Sequence, residues 1–115
     1  MRKLKLSEAI RLGAMWRPQA FGVLTDGVGT CAIGAATEAM GLPLDDEMPN
    51  PREWDFVLKI RACPVCITHD PDRLNVVAHL NDDHRWTRER IADWVETIEA
   101  QHEQPVAEQP VTVTA

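Results

Sequence analysis

The chain contains no apolar run approaching the roughly 20 residues that a bilayer-spanning helix needs. It also lacks the apolar stretch of a secretion signal. The start, Met1-Arg2-Lys3-Leu4-Lys5-Leu6, is charged, and Ser7, Glu8 and Arg11 break up the apolar residues after it. These two absences predict a cytoplasmic protein with no membrane partner, whose thiols stay reduced. Basic residues are also short: 12 Lys and Arg stand against 18 Asp and Glu, for a net charge of -6. Affinity for nucleic acid comes largely from neutralising phosphates, so this balance disfavours a nucleic-acid partner. Cysteine is scarce and odd in number, at three, so no disulfide framework pairs them all. Under a reducing prior, close-spaced cysteines point to metal ligands or redox thiols.

What is present is the composition of one globular domain. The chain has 115 residues, 44% hydrophobic and 26% charged. Leu6, Ala9, Ile10, Gly13 and Trp16 recur at helical spacing, which predicts a first helix over 8–16 with Ser7 as its cap, ended by Pro18. Pro18, Gly22, Gly27 and Gly29 make 17–29 a loop. Thr30 is positioned to cap a second helix, Cys31 to Met40, stopped by Gly41. That helix is rich in Ala and Gly, so another helix can approach it closely. Residues 42–51 read as an exposed acidic connection, and Pro51 suits the first turn of a third helix to about Arg61. Asp70-Pro71 predicts the start of a fourth, fading near Asn81–Asp83. Thr87 caps a fifth, with Trp86 and Ile91 at the spacing of a hydrophobic staple. Ile91, Trp94, Val95 and Ile98 form its apolar stripe. Five short helices and few β-type runs predict an all-α fold, a compact bundle.

Cys63, Cys66, His79 and His84 follow C-x2-C-x12-H-x4-H, which matches the Cys2His2 zinc pattern. A C-x2-C knuckle bends two thiolates onto one ion, and two histidines near a helix end supply the other half of a tetrahedron. Five residues apart on an unbroken helix, the imidazoles would differ by roughly 140° in direction. The helix must therefore loosen around Asn81–Asp83 for them to converge. A free-standing nucleic-acid finger fits less well, because Asp70 replaces the aromatic expected four residues after the second cysteine. The alternatives are chance spacing without metal, a redox dithiol at Cys63-Pro64-Val65-Cys66, and His69 as a rival ligand.

Other constellations are weaker. Gly27, Gly29 and Gly34 are spaced too widely for the dinucleotide fingerprint. Cys31 lies at a predicted helix start, where the dipole lowers a thiol pKa, but the favoured reading is a small buried hydrophobe. Residues 76–95 resemble a helix-turn-helix, with Arg88 and Arg90 to meet phosphates, while Asp93, Glu96, Glu99 and Glu103 on the same helix oppose it. His79, Asp82, Asp83, His84 and Glu89 are dense enough for a hydrolytic metal site, without the His-Glu-x-x-His order.

Three stretches carry a resemblance: Leu6-Ser-Glu-Ala-Ile-Arg-Leu-Gly13, Gly29-Thr-Cys-Ala-Ile-Gly-Ala-Ala36 and His79-Leu-Asn-Asp-Asp-His-Arg-Trp-Thr-Arg-Glu-Arg-Ile-Ala-Asp-Trp94. Together they resemble a family of small uncharacterised bacterial and phage-encoded proteins, over roughly residues 6–100. The resemblance implies a compact cytoplasmic or phage-associated domain and assigns no catalytic residue.

The expectation is a helical domain over 1–103, stapled by zinc through Cys63, Cys66, His79 and His84. A flexible tail occupies 104–115, and Glu-Gln-Pro-Val occurs at 103–106 and again at 108–111. Its function would be that of a non-enzymatic protein-interaction module, binding through the acidic surface, the Arg85–Arg90 stretch or the tail. The alternatives are a nucleic-acid-binding regulator acting through 76–95 and, third, a metal- or thiol-dependent enzyme.

Overall fold

The structure is a computed structural model that describes residues 4–45 and 50–103. Five α-helices run in the order α1 (Leu6–Ala14), α2 (Ala32–Ala39), α3 (Asp55–Leu58), α4 (Val76–Asp82) and α5 (Arg88–Glu103). A 3-10 turn over Arg52–Trp54 leads into α3. Between α3 and α4 lies a two-stranded antiparallel hairpin, β1 (Ala62–Cys63) and β2 (Ile67–Thr68), with Ala62 opposite Thr68 and Cys63 opposite Ile67. The fold is therefore mostly helical but not all-α as predicted. Strands this short carry too little alternation to register in the sequence. The predicted tail, 104–115, and part of the acidic connection, 46–49, lie outside the described residues.

Helix α1 starts earlier than predicted, and Ser7 is not its cap. Lys5 is the N-cap, and its N–H donates to Glu8 Oε1 at 3.0 Å. Ser7 sits inside the first turn, where both its N–H and its hydroxyl donate to the carboxylate of Glu99 on α5. Glu99 is only 4% exposed. A carboxylate at a helix N-terminus satisfies orphan N–H groups and meets the positive end of the dipole. Here a second helix, 92 positions away in sequence, supplies it.

Helices α1 and α2 cross in close contact because both carry small residues there. A Cβ on Gly13 would stand 1.9 Å from the Ala35 carbonyl oxygen, so only glycine fits. The predicted close approach to α2 is observed, and Ala32, Ala35 and Ala36 are fully buried. Its cap is Cys31 rather than Thr30: the sulfur accepts from Gly34 N–H at 3.3 Å. Thr30 is instead paired with neighbouring loops, its N–H donating to the Pro18 carbonyl and its own carbonyl accepting from Ala20 N–H.

Leu6, Ile10, Trp54, Val57, Val76, Val77, Leu80, Ile91 and Val95 form the core between these helices. The third helix is shorter than predicted and ends at Leu58. The fourth begins at Val76 and not at Asp70-Pro71. Asn75 is its cap, accepting from Ala78 N–H at 2.8 Å, while Asp70 instead accepts from Asp72 N–H in a local turn. An Asx side chain supports a turn as readily as a helix start, and the first good apolar face begins only at Val76. Thr87 does cap the start of α5, accepting from Arg90 N–H at 3.1 Å.

Two buried polar side chains tie the loop over 17–30 to this frame. Asn81 is fully buried and its amide is saturated. Its oxygen accepts from Gln19 Nε2 and Ala32 N–H, and its nitrogen donates to the Ala20 carbonyl and to Asp82 Oδ1. Arg88, 5% exposed, donates to the Thr30 carbonyl and hydroxyl and to the carbonyls of Ala14 and Arg17. It thereby closes the C-terminal end of α1. Desolvation by burial pulls the pKa of Arg88 below its ordinary value, the nearby charge of Glu89 opposing it only in part.

Candidate metal centre

The hairpin and the end of α4 bring four side chains to one point. One ligand atom from each of Cys63, Cys66, His79 and His84 lies within 4.8 Å of every other, so this Cys2His2 group could hold a metal ion. The Cys63–Cys66 turn is built around the first sulfur. Val65 N–H points at Cys63 Sγ at 3.4 Å and Cys66 N–H at 3.5 Å. To aim them, the chain must then turn left, and Ile67 takes φ 72°. A β-branched residue rarely adopts that conformation, which marks the turn as over-determined by its surroundings.

On the other side, α4 stops where both imidazoles require it to stop. The last helical residue is Asp82, and His84 N–H reaches back to the His79 carbonyl at 3.3 Å. Arg85 comes next at φ 55° and reverses the chain. His84 thus folds back, edge-on to His79, with ring centroids 4.6 Å apart. The loosening expected around Asn81–Asp83 is a complete helix end.

His79 is the best-held member of the group. Its Nδ1 lies 2.8 Å from Asp83 Oδ2, one helical turn on. In the tautomer that donates Nδ1–H to this carboxylate, Nε2 carries the ring's lone pair. Two groups then crowd that single nitrogen: Cys66 Sγ at 3.3 Å and His84 Nε2 at 3.1 Å. One in-plane lone pair accepts one good hydrogen bond. A cation at the centre resolves the conflict, because all the lone pairs then point at it. With zinc–sulfur bonds of about 2.3 Å and zinc–nitrogen bonds of about 2.0 Å, tetrahedral edges are about 3.3 Å between nitrogens and about 3.5 Å between nitrogen and sulfur. The Cys66–His79 and His79–His84 separations are close to those edges, while the group as a whole spans up to 4.8 Å. Desolvation, and then the neighbouring Cys63 sulfur, push the Cys66 thiol up.

His69 does not belong to the cluster. Its ring stacks on His79, with centroids 4.2 Å apart, and its Nε2 is turned to the Leu74 carbonyl. It walls the site without reaching it. Asp83, weighed in the sequence only as part of a hydrolytic constellation, is instead the hydrogen-bond partner of His79. Its position four residues after His79 on a helix is the signal that could have found it.

The remaining candidates are dispersed. Cys31 is 4% exposed, and burial pushes its thiol up, outweighing the N–H groups of Gly34 and Ile33 that would lower it. Arg88, expected to face phosphates, is buried among carbonyls, which removes it from any nucleic-acid surface. Arg90 lies flat over Trp86 at 3.9 Å and Arg85 over Phe21 at 4.4 Å. Glu89 is exposed and outside the four-residue cluster. Among the described residues, no helix is long and apolar enough to cross a membrane. No protein-family model matches the chain, and neither a curated protein nor a solved structure is similar to it.

Proposed function

We propose that Cys63, Cys66, His79 and His84 bind one zinc ion as a structural staple, and that the stapled domain is a protein-interaction module of a reducing compartment. The observation that carries this reading is the convergence on His79 Nε2. Two thiols and two imidazoles gathered within 4.8 Å of one another are a ligand set that suits zinc among the common divalent ions. Four protein ligands leave no open position for a substrate, which favours a structural over a catalytic centre. The metal would join β1 to the end of α4 and fix the chain reversal into α5. The exposed apolar residues of the knuckle, Val65 and Ile67, would then be held rigidly at the surface.

The test is metal analysis of protein purified without a histidine tag, then thermal unfolding with and without chelator. About one equivalent of zinc and a large chelator-induced loss of stability are expected, because binding and folding share one free energy. Less than about one-fifth of an equivalent, with an unchanged melting curve, overturns the staple. The interaction reading is tested by capture from host lysate, in which the zinc-loaded chain should retain a protein that the stripped chain does not.

A further inference from the structure

A cavity of about 360 Å3 lies where the 22–24 segment, α2 and α4 meet. That volume falls within the range of small-ligand sites. Leu24, Ile33, Leu42 and Ala78 contribute apolar wall, and among the described residues no Lys, Arg or His lines it. Its charged lining residues, Asp45 and Asp82, are both acidic. Asp82 is the last residue of α4, and its carboxylate is held in place through one oxygen. Oδ1 accepts from Gly22 N–H at 2.8 Å and from Asn81 Nδ2 at 2.7 Å. Oδ2 has no hydrogen bond among the described residues. An anchored carboxylate beside an apolar cavity is complementary to an alkyl stem that ends in a cation.

The cation can be narrowed further. A guanidinium is best recognised by both oxygens of a carboxylate at once. Asp82 Oδ1 is already doubly engaged, so Oδ2 alone is left to accept. That geometry suits the single-point donor of an ammonium group. We propose that this cavity receives the side chain of a lysine from a partner protein, its four methylenes against the apolar wall and its ammonium on Asp82 Oδ2. The proposal rests on the interaction reading above and names the chemistry of the partner. The same short segment, His79 to His84, then supplies two candidate metal ligands and the lysine acceptor. The staple would hold that acceptor in position.

The test is an NMR titration of the untagged full chain, with its zinc content measured first. The probes are n-pentylammonium, 1-pentanol and n-pentylguanidinium. Saturable shifts at the amides of Gly22, Cys31, Ala78 and Asp82 are expected with the ammonium, at roughly tenfold higher affinity than with the alcohol. Asp82→Asn, which keeps an oxygen for Gly22 N–H, should reduce ammonium binding to the level of the alcohol. Absence of saturable shifts, or equal affinity for alcohol and ammonium in the parent chain, overturns the proposal. Tighter binding of the guanidinium overturns the assignment to lysine. A zinc-loaded chain that fails to discriminate sinks the cavity proposal alone. A zinc-free chain that does discriminate sinks the staple and spares the cavity. An ammonium-binding chain that captures no protein from lysate sinks the interaction reading.

Discussion

The α1–α2 crossing and the knuckle–α4 junction hold the same small molecule together by opposite means. At the crossing, Gly13 meets the Ala35 backbone and fully buried alanines fill the rest. Stability at the Gly13–Ala35 approach comes from dispersion and from apolar area removed from water. At the junction, Cys63 and His79 are mostly buried, Cys66 and His84 less so, and four ligand atoms lie within 4.8 Å of one another. Without a cation that arrangement is a conflict of lone pairs. With one, it becomes the strongest cross-link in the chain. One region fails when an atom is added and the other when an atom is taken away.

The largest effect should come from taking the metal away. Chelation, or Cys63→Ser, is expected to cost about 5 kcal/mol or more, comparable with the whole stability of a domain this size. Circular dichroism melts should show it. A Cys63→Ser chain that melts like the parent would mean that packing alone holds both regions. Gly13→Ala comes next. Its methyl has no room beside the Ala35 carbonyl, so about 3 kcal/mol should be lost in urea unfolding. Metal content should stay unchanged if the two regions are independent, and a simultaneous loss of zinc would show that they are not.

Asp83→Asn separates holding the metal from packing around it. The amide can still face His79 Nδ1 but no longer stabilises the ring electrostatically. Competition with a zinc-binding dye should show affinity reduced by about 10- to 100-fold. An unchanged affinity would remove Asp83 from the site. The smallest change expected is a gain. Ile67 is 77% exposed and sits at φ 72°, so it gives little burial and occupies a conformation that glycine adopts freely. Ile67→Gly should stabilise the metal-loaded protein by about 1 kcal/mol. A loss instead would mean that the isoleucine side chain packs in a way its exposure does not suggest.

Much of the candidate site was legible beforehand because ligand chemistry is local. A C-x2-C turn and two histidines five residues apart, with residues between them that tolerate a helix end, already demand that geometry of any chain that binds zinc there. The close approach to α2 was legible for the same reason, since small side chains advertise it. The hairpin was not legible, because two residues per strand leave no alternation to read. Ser7 and Asp70 misled because their side chains bond equally well to other donors and acceptors: Ser7 went to Glu99 and Asp70 to a turn.

By itself, then, the order of residues determined a small, mostly helical domain, its tightest helix contact and four atoms suited to one metal. Those properties depend on side-chain size, on spacing along the chain and on intrinsic ligand chemistry. Only the tertiary structure decided that Glu99 would cap α1, that Arg88 would be buried among carbonyls, and that Asp82 would line a partly apolar cavity with one oxygen left without a hydrogen bond among the described residues. Each of these joins positions far apart along the chain. Whether a charge is buried or presented depends on which distant backbone happens to pack beside it.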